Sequence, residues 1–431
     1  MQIFNKILKF YGKYFFLNIL GIILYRLLLD FCYVSIVTPK FNYLGLTYDF
    51  TLDKFIISWI FLLSALPFIL FFINKANFSN NVICIMFYLS YVPTSTLLCF
   101  LNYNFLFLFL VFFYWFILFF LNIVYPYFKF RLNSPKIGKG FVWSLLLILV
   151  LTVIYISGRY TDFRFHLGIF DVYKLRFEER EFQLPLLLSY VHTAAASLLP
   201  VLMIYFFIIK KPIISLIIGF IIFLNFGIGG HKFILFILIL SLMGYWFFRF
   251  NRLFYFCWIL ILILVLSLIE FYLFDSFFVS SLFTYRTILV PSQLHFSFFE
   301  FFINNEFDFF RQGILRWFGF NSPYSINIDF LVAYEISKDI TSRANNGLFS
   351  DAFMNLGYLG PIIFPLFLIT VIRLIDMCSK GLEDKLLFVP VVIVSLTFLS
   401  TTLTTALLTN GIFLLMITLL LLPRNFNTTY K

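Results

Sequence analysis

Apolar runs long enough to cross a membrane follow one another along almost the whole chain. Runs of roughly 17–25 apolar residues fall near 14–37, 55–73, 82–101, 104–125, 141–158, 184–209, 213–228, 232–248, 254–274, 357–375, 386–403 and 408–423. Short polar connections separate most of them. The pattern predicts an all-α polytopic integral membrane protein of about twelve helices, one transmembrane domain over 1–431. Two connections are long, 158–183 and 275–350. The first apolar run contains Arg26 and Asp30, exceeds the core of a signal peptide and has no small-residue cleavage site before Pro39. It reads as an uncleaved first span. Within the second long loop, 298–310 mixes aromatics with Glu300, Asn304, Asn305, Glu306 and Asp308, which predicts an interfacial amphipathic helix. Neither an internal repeat nor an inverted pair of broken helices stands out, which disfavours a secondary transporter.

Composition names the solvent. With 62% apolar and 12% charged residues and a mean hydropathy of +1.00, the chain is built for lipid. Basic residues at Lys6–Lys13, Lys75, Lys129–Lys139, Lys210, Lys211, Arg249, Arg252, Arg373–Lys385, Arg424 and Lys431 all fall on one side if the helices alternate. The short loops opposite hold only Lys40, Lys54 and Lys232. The positive-inside rule then predicts cytoplasmic termini and outward-facing long loops. The net charge of +11 is therefore topological. No segment presents a basic soluble face with interleaved aromatics, so no nucleic-acid partner is expected. The five cysteines, Cys32, Cys84, Cys99, Cys257 and Cys378, are scattered through apolar segments and suggest neither a disulfide framework nor a zinc site.

Candidate chemistry concentrates in the two long loops. Arginine should be scarce on an outer face, yet these loops carry Arg159, Arg164, Arg176, Arg180, Arg286, Arg311, Arg316 and Arg343. Planar guanidinium groups grip phosphate oxygens bidentately and never lose their charge, which points to a phosphate or pyrophosphate ligand. A plainer explanation stands beside it: long loops escape the charge rule, and Glu178, Glu179 and Glu181 can neutralise their neighbours. The turn Gly227-Ile228-Gly229-Gly230-His231-Lys232 has the glycines of an anion nest with a cation just behind. A tight helix–helix turn with a snorkelling Lys232 accounts for it equally. His166, His192, His231 and His295 show no metal-site spacing and no DxD pair occurs, so neither metal nor cofactor is expected. Arg26 and Asp30, four apart on one helical face, read as a structural pair. The hydroxyl-rich stretch from Ser400 to Thr409 suits either sugar binding or helix packing.

The most specific constellation is Asn346, Gly347, Asp351, Asn355, Gly357 and Gly360. On a helix, 347, 351 and 355 share a face, so Asp351 and Asn355 would point together into one cavity. A carboxylate among arginines there can serve as a general base toward a hydroxyl, or orient the arginines.

At these residues the chain resembles the O-antigen polymerase (Wzy) family of bacterial oligosaccharide repeat-unit polymerases. The resemblance covers most of the length in topology. In residues it rests on Asp171-Val172-Tyr173 to Arg176, Gly229-Gly230-His231-Lys232, Tyr285-Arg286 and the Asn346 to Gly360 pattern. It implies an enzyme of the bacterial cytoplasmic membrane that needs no metal and works on the outer face. The reaction it implies is transfer of a growing glycan from undecaprenyl pyrophosphate to the terminal sugar of another lipid-linked repeat unit. Arg176 and Arg286 would hold the departing pyrophosphate, with Lys232 and Arg343 assisting. Asp351 or a histidine would take the acceptor proton, and Arg159, Tyr173, His231, Asn346 and Asn355 would contact substrate. The implied partners are the undecaprenyl-pyrophosphate-linked oligosaccharide, the lipid bilayer, a chain-length regulator and a flippase. An O-antigen ligase uses the same donor and is the nearest alternative. A polysaccharide flippase or transporter would instead place its charges in the membrane interior, and a membrane sensor or scaffold has no need of so many outer arginines.

Overall fold

The computed structural model describes residues 14–128, 135–164, 172–248, 254–339 and 341–424. Among them every regular element is helical. In chain order these are α1 (Phe15–Leu44), α2 (Leu52–Asn74), α3 (Phe78–Phe100), α4 (Phe105–Val124), α5 (Pro135–Thr161), α6 (Val172–Glu181), α7 (Leu186–Ile208), α8 (Pro212–Gly229) and α9 (Lys232–Phe247). There follow α10 (Phe254–Phe274), α11 (Val290–Asn304, continuing a π-helical Ser280–Leu289), α12 (Ile328–Ser337), α13 (Phe349–Leu356), α14 (Gly360–Ser379), α15 (Asp384–Ser400), α16 (Leu403–Leu408) and α17 (Ile412–Leu421). Nine helices among the described residues are long and apolar enough to cross a membrane. Three expected spans are shorter than the sequence pattern suggests. Those at 232–248, 386–403 and 408–423 become α9, α15 and α17, of 16, 17 and 10 residues. At ~1.5 Å per residue all three fall short of a hydrocarbon core of roughly 30 Å. Two interruptions bound α15 and α17: the helix stops at Ser400, and Gly411 turns the chain at φ +79°.

One compact unit contains the described residues of 1–126, 251–372 and 398–404. Its centre is α3, in which every residue is buried. The sequence explains this position, because Ser79, Asn80, Asn81, Ser90, Thr94, Ser95 and Thr96 are poor neighbours for lipid but good partners for other helices. Asn122 of α4 donates to Asn80 Oδ1 at 2.8 Å, and Ser292 of α11 donates to the Ser90 carbonyl at 2.8 Å. Local capping starts the helices around it: Thr51 accepts the Lys54 amide, Asn77 the Asn80 amide and Asn104 the Leu106 amide. A π-helical turn at Phe87–Tyr91 precedes Pro93, where proline removes a donor and crowds the preceding turn.

The Arg26–Asp30 pair binds this unit together. Arg26 is fully buried, its Nη1 lies 3.1 Å from Asp30 Oδ2, and its ring-facing side stacks over Trp59 at 5.4 Å. Its Nε donates to Thr96 Oγ1 at 2.8 Å and its Nη2 to the Ser95 carbonyl at 2.9 Å and Ser58 Oγ at 3.2 Å. One guanidinium thus joins α1, α2 and α3. Glu270 is structural as well: its carboxylate accepts Ser276 Oγ and the Phe278 and Val279 amides, closing the turn after α10.

The interfacial helix expected over 298–310 is corrected by the structure. Phe298, Phe299, Phe301 and Phe302 belong to α11 and are buried, and Phe299 meets Phe107 and Phe353 at 5.3 and 5.1 Å. Aromatics on adjacent positions wrap the helix rather than forming one stripe, so protein, not headgroups, surrounds them.

The second compact unit contains the described residues of 127–250, 373–397 and 405–431. Helices α5, α7 and α8 pack on one another, α6 and α9 lie against α8, and α17 lies against α5 and α7. Arg373 is fully buried here, 3.7 Å from the centre of the Tyr127 ring and 3.8 Å from Asp376.

Candidate functional site

The end of α8 gathers a knot of charged and polar side chains in the second unit. The sequence builds it by breaking two helices with glycine and returning a charged helix over the break. Gly230, at φ +61°, ends α8, and His231 and Lys232 lead into α9. Helix α6 packs on α8. From α6, Glu178 pairs with Arg164 Nη1 at 2.6 Å, while Arg164 Nε donates to the Gly227 carbonyl at 3.3 Å. Glu179 Oε2 lies 2.8 Å from His231 Nε2. The carboxylate rests on the bare backbone of Gly229: a Cβ at that position would collide with all three carboxyl atoms of Glu179. Glycine is needed there for close approach, whatever the turn requires.

The electrostatics follow from the packing. Burial works against the Glu179 carboxylate, but the hydrogen bond and charge of His231, with smaller contributions from His192 and Arg176, outweigh it and hold the carboxyl below the ordinary glutamate value. A depressed carboxyl stabilises the fold above its unfolded pKa, and that contribution disappears as pH falls through the folded value. Melting wild type and Glu179→Gln side by side should therefore show a wild-type advantage that shrinks as pH drops from about 5 to about 3. An advantage that grows on acidification would contradict the pairing.

This knot brings together two residues that the sequence singled out, Arg176 and His231, with Lys232 next in the chain. Arg176 is close enough for its charge to act on Glu179, His231 is bonded to that carboxylate with its side chain 48% exposed, and Lys232 opens α9. Arg159 is exposed at the end of α5. Tyr173 lies on α6 with its side chain outside the described residues, as are His166 and Asp171. Sequence reasoning missed Glu179, treating it as one of three loop neutralisers. Its partner is 52 positions away, so no local spacing reveals it.

The other candidates belong to the first unit. Arg286 is exposed on the π-helical Ser280–Leu289, next to Tyr285, whose ring stacks on Phe41 at 4.3 Å. Arg343 lies 3.7 Å from Asp329 and 4.4 Å from the centre of the Phe330 ring. Asn346 is buried and donates to Met354 Sδ at 3.2 Å.

Asp351 and Asn355 do share a helical face, that of α13, with Asn355 Nδ2 donating to Asp351 Oδ1 at 2.7 Å. Their surroundings differ from the open, arginine-lined cavity expected. Asp351 is 1% exposed, and its other oxygen accepts the Leu403 amide at 2.6 Å. Asn355 Oδ1 accepts the Phe310 amide at 2.8 Å. The side chains packed around Asp351 are Leu348, Phe364, Leu368, Phe398, Thr401 and Leu403. Gly347 and Gly360 allow backbone to approach backbone, since a Cβ on either would strike the carbonyl of Phe398 or of Ala352. The hydroxyl-rich stretch from Ser400 is thereby caught against α13, with Asp351 satisfying the first amide beyond the break.

Among the described residues no three His, Cys, Asp or Glu side chains gather as metal ligands. Compared with family models, curated proteins and solved structures, the chain finds no match.

Proposed function

We propose that this membrane protein polymerises lipid-linked oligosaccharide repeat units. It transfers the growing glycan from undecaprenyl pyrophosphate to the terminal sugar of another lipid-linked repeat unit, on the outer side of the bacterial cytoplasmic membrane. The observation that carries this reading is the knot at the end of α8, where Arg176 and His231 act on Glu179 and Lys232 follows His231 in the chain, beside long apolar helices. Fixed cations next to lipid suit a polyprenyl pyrophosphate, whose charge grows as the sugar departs. A guanidinium on α6, which stays charged, and an ammonium on α9 supply that stabilisation. A chain-length regulator and a flippase are the proposed protein partners.

The test is reconstitution in lipid nanodiscs with a purified lipid-linked repeat unit and resolution of the products by size. A ladder supports polymerisation, single addition to a lipid core supports the ligase alternative, and passage of the lipid-linked sugar without a product supports transport. Arg176→Ala should lower turnover about 10²- to 10³-fold, as loss of one preorganised donor to a developing charge does elsewhere. Unchanged ladders from Arg176→Ala and Lys232→Ala would remove the basis of the reading.

A further inference from the structure

We infer that His231 is the group that takes the proton from the acceptor hydroxyl, and that Glu179 positions it; the inference rests on the proposed glycan transfer. Proton acceptance needs a side chain that is reachable, neutral when it acts and held in one orientation. Asp351 lacks the first property: it is buried and both of its oxygens already accept hydrogen bonds. His192 and His295 are buried, the latter 3.1 Å from Ser90 Oγ. His231 is exposed, and a carboxylate holds the Nε2 edge of its ring.

The orientation follows from the bond. A carboxylate only accepts, so the 2.8 Å contact assigns a hydrogen to His231 Nε2, and in the neutral ring the lone pair then lies on Nδ1. The Glu179 carboxylate is fixed in turn by its seat on Gly229 and by the charge of Arg176. This carboxylate–imidazole order locks the tautomer of a general base. Lys232 adjoins the ring in sequence, so the cation proposed for the leaving group and the base proposed for the nucleophile come from one turn.

In the step itself, the acceptor hydroxyl oxygen bonds to the anomeric carbon of the donor glycan. The bond from that carbon to the phosphate oxygen breaks, and its electron pair leaves with the polyprenyl pyrophosphate. The hydroxyl proton moves to His231 Nδ1 and is later released to water. Atoms and charge balance without a further reactant.

The experiment uses the full-length protein in nanodiscs with lipid-linked repeat unit. His231→Ala should lower kcat about 10²- to 10⁴-fold with KM for the lipid-linked donor unchanged, and added imidazole should restore part of the rate. Gly229→Ala, whose new Cβ displaces only the end of the Glu179 side chain, should lower kcat about tenfold or more. In the His231→Ala background, Gly229→Ala and Glu179→Ala should cost nothing further, because residues that act as a unit are not additive. A base elsewhere is indicated, and the inference overturned, if His231→Ala keeps wild-type kcat while Arg176→Ala loses activity. It is overturned equally if the Glu179→Ala loss persists undiminished in the His231→Ala background. Should Arg176→Ala, Lys232→Ala and His231→Ala all leave the ladder intact, the knot is not the site of transfer and the inference falls with it; a wild-type protein that makes no ladder is the separate result that fails the glycan-transfer reading itself.

Discussion

Arg26→Ala is expected to cost the folded protein about 3–5 kcal/mol, the price of leaving one partner of a buried ion pair uncompensated. The three hydrogen bonds from Arg26 to Thr96, Ser95 and Ser58 are the smaller part of this loss. Hydrogen bonds between membrane helices average about 0.6 kcal/mol each, so together they supply roughly 2 kcal/mol. The larger part is the Asp30 carboxylate, which is 13% exposed and faces Arg26 Nη1 at 3.1 Å. Without the guanidinium it must remain charged among apolar helices or take up a proton. Replacing both members with apolar side chains should therefore recover much of the loss. Reversible unfolding in mixed micelles measures both variants. If Arg26→Ala unfolds within about 1 kcal/mol of wild type, water or headgroups must reach Asp30, and the joining of α1, α2 and α3 must rest on apolar packing alone.

The same residues show how far a hydropathy pattern carries. Long apolar runs locate the helices because each must satisfy its backbone within itself, so length and composition suffice. They cannot show which helix is central. Helix α3 differs from its neighbours in its serines, threonines and asparagines, a signal present in the sequence but outweighed by the apolar count. The break after Ser400 was equally hard to read, since its first amide is satisfied by Asp351, 52 positions earlier. Arg26 meets Thr96 across 70 positions and His231 meets Glu179 across 52. Partnerships of that reach leave no local spacing. What composition did mark was cost: polar residues at a helix mouth, Arg26 within a span, glycines in a turn. Each has a physical reason in the structure. For Gly347 and Gly360 that reason is close backbone approach, and for Asp351 it is satisfaction of distant amides.

Asp351→Ala is expected to destabilise the protein by about 1–3 kcal/mol, because it strands the Leu403 amide. The Asn355 side-chain amide loses the carboxylate at 2.7 Å and keeps only the Asp351 backbone carbonyl at 3.1 Å. Asn355 in turn holds the Phe310 amide, so the loop after α11 should loosen with it. Asp351→Asn distinguishes this role from chemistry. The amide keeps the volume and one acceptor oxygen, and turns a donor toward the other partner, so roughly half of the loss is expected. Turnover per folded molecule should then survive in Asp351→Asn. A general base would behave differently, since an amide cannot accept the proton and folded Asp351→Asn would be as inactive as Asp351→Ala. Melting temperature and single-turnover rate, measured on the same two preparations, separate the roles. A stable Asp351→Asn protein without turnover would return Asp351 to the reaction and displace His231 from it.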